Sequence, residues 1–323
     1  TLINFAEKIS SFSSPLAVGM SGNFRQMKRR ILNIAVFRKE TLYQKMRALI
    51  IYLVISAVFI GCTPILSIDA STQSVYHFSD TDKNISLLDI SETFGTYDGS
   101  FVLYDNNLDS WKIYDLEEAT KRIPPESTYK IYDALLGLES GIITPEHSSM
   151  TWNGDAFPFP SWEADQDLNS AMQNSVNWYF QAIDSQLGIN RVQEFLNKIE
   201  YGNQTTSSNL DLYWSDFSLK ISPLEQVTLL KKFNTNEFHL NSQNVFSVKN
   251  AIKIASTPNG NFYGKTGTGR VNGQDINGWF IGYVETSDNS YYFATNIQSD
   301  SNATGKKAFE ITSDILKKLH IWN

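Results

Sequence analysis

The sequence predicts a mixed α/β domain in which strands from both ends of the domain form one sheet. Two short strand-like runs lie early in this domain and three more lie near the C-terminus, whereas the interval from about 145 to 245 is mostly helix-like. The strand-like runs are 100–104, 110–114, 261–267, 278–285 and 290–297. Strands at both ends with helices between them are typical of a sheet that carries helices on its faces.

The elements follow from local patterns. The turn-forming residues Asp105, Asn106 and Asn107 separate the first two runs, which predicts a hairpin. After Pro124 and Pro125 comes an apolar pattern with spacings of four and three residues, which predicts a helix, since proline ends the preceding hydrogen-bonded run. The apolar spacing over 308–319 predicts a closing amphipathic helix.

The N-terminal part has a different composition. The chain has 323 residues and a net charge of -7, yet residues 1–47 hold nine Lys/Arg and only two Asp/Glu. Residues 48–68 contain no charged residue, and about 20 apolar residues suffice to span a bilayer. The basic residues before this stretch predict a cytoplasmic segment at 1–47, a transmembrane helix at 48–68 and an extracellular linker at 69–97.

Cysteine usage adds one constraint and one alternative. Cys62 is the single cysteine of the sequence, so no disulfide can form within the chain. The run Phe59-Ile60-Gly61-Cys62 also resembles a lipoprotein cleavage site, although phenylalanine stands where leucine is usual. We therefore keep a cleaved lipoprotein signal as the alternative to a retained membrane span.

A serine and a lysine three residues apart mark the start of the first long helix. Ser127 lies at or near the helix N-terminus, and Lys130 follows one turn later on the same face. A hydroxyl beside an amine is the arrangement that a serine nucleophile needs if a lysine is to accept its proton. Ser-x-x-Lys alone is a weak signal, because both residues are common at exposed helix ends.

Two further motifs follow in an informative order. Ser175 and Asn177 form Ser-Val-Asn at the approach to a helix, and Lys265-Thr266-Gly267-Thr268 ends a strand. Lys-Thr-Gly alone would indicate only a turn. Ser-x-x-Lys, Ser-x-Asn and Lys-Thr-Gly in this order form the motif set of serine β-lactamases and penicillin-binding proteins, and coincidence of all three is improbable.

With these motifs in place, the segment 98–323 resembles a class D β-lactamase-type penicillin-binding domain. Several further runs carry the resemblance: 127–131, 152–154, 171–175, 201–203, 213–222 and 278–285. The run 171–180 and the membrane-linked head resemble the BlaR/MecR-type β-lactam sensor-transducers more closely. The resemblance implies a penicillin-recognising serine acyltransferase fold, with an antiparallel sheet between helical regions.

The resemblance also implies roles for single residues. Ser127 would attack the lactam carbonyl, and Lys130, as a free amine or as its carbamate formed with carbon dioxide, would accept the proton. Ser175 would relay a proton to the leaving nitrogen. The backbone N–H groups of Ser127 and Thr268 would bind the oxyanion.

The remaining site residues would contact the antibiotic or the lysine. Lys265, Thr266 and Thr268 would bind the antibiotic carboxylate where Gly267 lets a ligand approach the strand, and Trp214 would pack beside the carbamate. Class D hydrolases have valine where this chain has Asn177. An amide there could hydrogen-bond Lys130 and favour its uncarbamylated form, which predicts a long-lived acyl-enzyme.

The basic head has its own resemblance, to the tail of the metalloprotease domain of the same sensors. That domain binds zinc through a His-Glu-x-x-His helix, which this sequence lacks. The four histidines of this sequence do not have the spacing of metal ligands, so we predict no metal site and no cofactor here. A cytoplasmic cut accompanies activation in that family, which suggests Arg29-Arg30 as a cleavage site.

The sequence thus predicts a membrane-bound β-lactam sensor with an extracellular C-terminal domain. Its expected partners are β-lactams, the membrane, an upstream metalloprotease domain and, indirectly, a transcriptional repressor, without direct nucleic-acid binding. The alternatives are a membrane-anchored class D β-lactamase and a peptidoglycan transpeptidase or carboxypeptidase.

Overall fold

The computed structural model describes residues 74–79 and 83–323. The predicted cytoplasmic segment, the transmembrane helix at 48–68, the alternative cleavage site at Cys62 and the Arg29-Arg30 site lie outside the described residues. Within the part of the chain that is described, no helix is both long enough and apolar enough to cross a bilayer.

One seven-stranded sheet forms the centre of the described domain. In chain order its strands are β1 (Asn84–Leu87), β2 (Asp98–Asp105), β3 (Ser110–Tyr114), β4 (Lys253–Thr257), β5 (Gly260–Val271), β6 (Gln274–Glu285) and β7 (Ser290–Gln298). Their spatial order is β1-β3-β2-β7-β6-β5-β4. The N-terminal hairpin β2–β3 therefore joins the C-terminal strands through the antiparallel β2–β7 pair, which confirms the predicted mixed α/β arrangement.

The domain begins earlier than the predicted boundary at residue 98. Within the expected linker 69–97, Asn84–Leu87 forms the edge strand β1, which pairs in parallel with β3, and Ser91–Phe94 forms a short helix. The predicted linker was therefore too long. Strand β1 has four residues, mostly exposed, so it shows no apolar alternation by which the sequence could have revealed it.

Helices cover both faces of the sheet. They are α1 (Ser91–Phe94), α2 (Leu116–Thr120), α3 (Lys130–Glu139), α4 (Leu168–Gln173), α5 (Asn177–Leu187), α6 (Ile189–Ile199), α7 (Pro223–Asn234), α8 (Ser242–Ala251) and α9 (Gly305–Lys318), with short 3-10 turns at Glu126–Tyr129 and Pro160–Trp162. Helix α9 covers most of the predicted 308–319 helix; it begins three residues earlier and ends one residue earlier, at Lys318.

Alternate residues of the strands divide the apolar core into two layers. In β2, Phe101 and Leu103 join the layer beneath α1 and α9, whereas Val102 and Tyr104 join the layer that holds α3 to α8. Successive side chains of a strand point to opposite faces, so one strand supplies both layers. The larger layer contains helix α3. Ser127 and Lys130, at the start of this helix, lie beside strand β5.

Candidate active site

Ser127 lies in a tight turn at the start of α3. The 3-10 turn Glu126–Tyr129 leads directly into α3, and Lys130 is the first residue of that helix. The side chain of Thr128 donates a hydrogen bond to the Pro125 carbonyl over 2.6 Å, which holds the turn closed. The predicted placement of Ser127 at a helix start, with Lys130 one turn later, is confirmed.

The Lys130 side chain joins the nucleophile to the second motif. Its Nζ atom lies 2.8 Å from Ser127 Oγ and 2.7 Å from Asn177 Oδ1. It also lies 4.3 Å from the centre of the Trp214 ring and 5.6 Å from that of Phe180. Lys130 is fully buried, so the amine is enclosed by these four side chains rather than by water.

Burial favours the neutral form of this amine. The pKa of Lys130 is held well below its usual value, first by loss of solvation and then by the nearby positive charge of Lys265. Three acidic groups act in the opposite direction, namely Asp133, Glu126 and Asp184. A neutral Lys130 can accept the Ser127 proton on its lone pair while it donates an N–H to Asn177.

Two buried carboxyl groups act on Lys130, and no sequence pattern indicates them. Asp133 and Asp184 are both fully buried, on α3 and α5. Tyr213 donates a hydrogen bond of 3.3 Å to Asp184, whereas among the described residues Asp133 has no hydrogen-bond partner for its side chain. Burial raises the pKa of both groups, and the negative charge of Asp184 raises the pKa of Asp133 further, so the two cannot readily both ionise.

A second lysine and serine form the opposite side of the site. Lys265 Nζ donates hydrogen bonds to Ser175 Oγ over 2.9 Å and to the Thr266 carbonyl over 3.0 Å. Burial lowers the pKa of Lys265 to about 7, so its charge is easily lost near neutral pH. Because Ser175 and Asn177 are two residues apart, one short segment contacts both lysines.

Beyond the end of β4, strand β5 presents to this site a backbone edge with which no other strand of the described residues pairs. Gly264 N–H donates to the Ile252 carbonyl on the β4 side, and the pairing of β4 with β5 ends at Tyr263. Since backbone groups alternate along a strand, the N–H and carbonyl groups of Thr266 and Thr268 point to that same side, beyond the end of β4. The Thr268 N–H is therefore directed at the edge where an oxyanion or an extended ligand can bind.

The side chains of the Lys-Thr-Gly-Thr segment divide between two faces. Lys265 and Gly267 face the Ser127 turn, and a β-carbon added to Gly267 would lie 3.3 Å from Ser127 N. The Thr266 side chain packs against Gly305, whose N–H donates to Thr268 Oγ1 over 2.8 Å. The Thr268 hydroxyl is thus held near the N-terminus of α9, where the helix dipole favours an anion.

The geometry provides what an acyl transfer requires. The Ser127 hydroxyl contacts the buried amine of Lys130, and Lys265 contacts Ser175. The backbone N–H groups of Ser127 and Thr268 lie on the turn and on strand β5. Covalent serine catalysis uses groups of these kinds as nucleophile, base, proton relay and oxyanion-binding donors. Residues 96–317 match the family model of the penicillin-binding protein transpeptidase domain. The chain belongs to the penicillin-binding transpeptidase-domain family.

Comparisons within this family extend the match beyond the domain. The chain is 42% identical to the regulatory protein BlaR1 of Bacillus licheniformis over 99% of its own length and 53% of that protein. The chain therefore spans about half the length of this relative. The similarity confirms the resemblance to BlaR-type proteins that the motifs predicted.

Solved structures of penicillin-binding transpeptidase-type domains confirm the fold. The C-terminal domain of the Bacillus licheniformis BlaR penicillin receptor superposes with a TM-score of 0.73 at 45% identity, covering 75% of this chain and 99% of that domain. The class D β-lactamase BAT-2 superposes with a TM-score of 0.69 at 36% identity, covering 73% and 97%. The chain thus has the penicillin-recognising fold that the resemblance implied.

The structure brings most of the predicted site residues together. Ser127, Lys130, Asn177 and Trp214 form one contacting group, and Ser175, Lys265 and Thr266 form the other. Trp214 is only 2% exposed and lies against Lys130, so it supports the lysine rather than lining an open ligand surface. Among the described residues no cluster of His, Cys, Asp and Glu side chains has the arrangement of a metal site.

Proposed function

We propose that this chain is the receptor part of a membrane-bound β-lactam sensor, acylated at Ser127 to give a long-lived acyl-enzyme. The contact that carries the proposal is the placement of Lys130 Nζ between Ser127 Oγ and Asn177 Oδ1. This contact supplies a base for attack on the lactam and at the same time engages the amine that would have to react with carbon dioxide. The similarity to BlaR1 over nearly the whole chain supports the sensor assignment.

The acylation step follows from the two lysine–serine contacts. Ser127 Oγ bonds to the lactam carbonyl carbon while its proton passes to neutral Lys130, and the carbonyl oxygen binds the N–H groups of Ser127 and Thr268. The lactam C–N bond then breaks, and Ser175 supplies the proton to the leaving nitrogen, replenished by Lys265. Lys265 and the hydroxyls of Thr266 and Thr268 bind the antibiotic carboxylate at the edge of β5 where Gly267 leaves room.

The acyl-enzyme persists because no base is available to activate water. A carbamate on Lys130 would supply one, and it forms only from a neutral amine whose lone pair is accessible to carbon dioxide. Asn177 Oδ1 occupies one side of that amine at 2.7 Å. The carboxamide thereby keeps Lys130 as a free amine, which suits a single acylation rather than repeated hydrolysis.

The N-terminal part would connect this receptor to the cell. The uncharged stretch 48–68 would cross the membrane, with residues 1–47 in the cytoplasm and the receptor domain outside, as the excess of basic residues before the stretch supports. Acylation would signal inward to an upstream metalloprotease domain, with cleavage at Arg29-Arg30, and release a transcriptional repressor that controls resistance genes.

A membrane-anchored class D β-lactamase is the second candidate. The buried setting of Lys130 favours it, because Trp214 and Phe180 enclose the amine in an apolar pocket of the kind in which a neutral, carbamylated lysine is stable. The two functions share the acylation step and differ in whether the acyl-enzyme is then hydrolysed. Counting product molecules for each Ser127 consumed distinguishes them.

The nucleophile itself is tested by replacing Ser127 with alanine. The wild-type domain is expected to gain the full mass of a penicillin, because ring opening keeps both halves of the antibiotic on the serine. The S127A variant is expected to gain none, since the attacking oxygen is absent. Intact-mass spectrometry measures both.

A matched control accompanies this experiment. Ser185 is an exposed serine on α5, outside the contacts described above, and S185A is expected to be labelled as the wild type is. Labelling of S127A at the wild-type rate would contradict the assignment of Ser127 as the acylated residue.

A further inference from the structure

Glu126, the residue before the nucleophile, is a buried acid in an unusual backbone conformation. It is 6% exposed, and its φ of +53° lies in the left-handed region that residues with a β-carbon seldom adopt. Its N–H donates to the Trp214 carbonyl over 3.0 Å. A strained backbone beside a reactive group persists only when its surroundings hold it, and such strain concentrates at functional sites.

The side chain of Glu126 fills the space between the nucleophile turn and strand β5. A β-carbon on Gly267 would lie 3.1 Å from Glu126 Cβ, and one on Gly269 would lie 2.4 Å from Glu126 Oε1. Any larger residue at Gly269 would therefore have to displace the carboxyl group. Because Gly267 and Gly269 have no side chains, the carboxyl group can pack directly against the backbone of β5.

A polar network fixes the carboxyl group in this place. Asn277 Nδ2 lies 3.3 Å from Glu126 Oε1 and 3.1 Å from the Pro124 carbonyl oxygen, and it therefore links the acid to the turn. Asn296 donates to Asn277 Oδ1 over 2.8 Å, and Trp279 donates to the Pro124 carbonyl over 2.8 Å. Strands β6 and β7 thus determine the position of Glu126.

We propose that Glu126 is a positioning residue for acylation, whose side chain sets the separation between the Ser127 turn and the Thr268 N–H. The two oxyanion-binding N–H groups lie on opposite sides of this contact, one on the turn and one on β5. Removal of the side chain lets β5 and the turn approach each other or shift. The inference rests on the proposed acylation of Ser127 and extends it to the residue that shapes its oxyanion site.

The charge of Glu126 bears on the same step. Burial raises its pKa to about 8, against the opposing effects of the Asn277 hydrogen bond and of Lys130, the titratable group that acts on it from α3. Glu126 is therefore an uncharged acid at neutral pH. Its ionisation would place a negative charge beside the position where the oxyanion develops, which opposes formation of that oxyanion.

Two variants separate shape from charge. E126Q keeps the shape and cannot ionise, whereas E126A removes the side chain. The limiting acylation rate constant and the dissociation constant of a chromogenic penicillin are measured by stopped-flow on the full chain between pH 6 and pH 9. E126A is expected to lose about 10–100-fold in the limiting rate constant with the dissociation constant nearly unchanged, since a small misplacement costs about that much.

The pH profile provides a readout that a purely structural role would not change. The wild-type limiting rate constant is expected to fall as the pH rises through about 8, where Glu126 ionises. E126Q is expected to lack this fall and to keep only the fall near pH 7 that loss of the Lys265 charge causes. The control E194Q, at an exposed glutamate of α6, is expected to follow the wild type. An unchanged limiting rate constant in E126A, or an E126Q profile that falls like the wild-type profile, would overturn the proposal.

A stability measurement separates this inference from the acylation on which it rests. The folded-state pKa of Glu126 is raised above the value of 4.5 in the unfolded chain. The contribution of this group to the stability of the wild type is therefore lost as the pH rises from about 4.5 to about 8. E126Q is expected to melt at a higher temperature than wild type at pH 8 and at about the same temperature at pH 4.5. If the wild type is not acylated at all but shows this stability pattern, the proposed function is contradicted. If the melting temperatures of E126Q and wild type differ equally at both pH values, Glu126 is not a buried neutral acid.

Discussion

Replacement of Lys130 with methionine is expected to slow acylation of Ser127 by about 10²–10⁴-fold at neutral pH, the usual contribution of a general base. Methionine has nearly the length of lysine and is apolar, so it can occupy the pocket formed by Trp214 and Phe180. It cannot accept the Ser127 proton. The loss should appear in the limiting acylation rate constant, because Lys130 contacts the nucleophile rather than the open edge of β5.

Stopped-flow acylation with a chromogenic cephalosporin measures this effect. The matched control is K198M, at an exposed lysine of α6, which should acylate at the wild-type rate. Acylation of K130M within about tenfold of wild type would assign the proton transfer to another group. Lys265 would then be the remaining amine in the site.

Asn177→Val should convert a persistent acyl-enzyme into one that turns over. Valine removes the Oδ1 atom that accepts a hydrogen bond from Lys130, and it replaces a polar amide with an apolar side chain. Both changes favour a neutral amine with an accessible lone pair, which can form a carbamate with carbon dioxide. In bicarbonate buffer we expect deacylation to rise by at least about 10²-fold, because the carbamate supplies the missing base.

Two measurements in parallel check this expectation. Carbon-13 NMR with labelled bicarbonate should show a carbamate resonance in N177V and none in wild type, and deacylation of N177V should slow when bicarbonate is removed. The control N190V, at an exposed asparagine in the first turn of α6, should behave as wild type. Unchanged deacylation in an N177V variant that does carry the carbamate would show that Asn177 does not determine the lifetime.

The parts of the site that could be predicted were those with local sequence signals. The two prolines and the apolar spacing after them placed Ser127 at a helix start, and the structure confirms this with Lys130 one turn later. The order of the three motifs predicted that Ser175 and Lys265 would belong to one site. The 2.9 Å distance between Lys265 Nζ and Ser175 Oγ confirms that these two residues meet. The resemblance supplied the fold, because no local pattern states the order of strands in a sheet.

Other features had no local signal. No sequence pattern marks Glu126 as buried, and only the approach of Gly267 and Gly269 in strand β5 shows that its side chain is enclosed. Asp133 and Asp184 lie 51 positions apart and meet only when α3 packs on α5. Strand β1 lies within the predicted linker, because a short exposed edge strand has no apolar alternation that would indicate it.

We expect this chain to be acylated once and then to retain the acyl group. The most direct test is to mix the wild-type chain with a tenfold excess of a chromogenic penicillin in bicarbonate buffer and to count opened lactam rings for each protein molecule. We predict a burst of one equivalent, with an adduct of the intact antibiotic mass on Ser127 that persists for hours. Continued product formation beyond that equivalent, with unmodified Ser127 recovered at the end, would contradict the sensor assignment and identify a hydrolase.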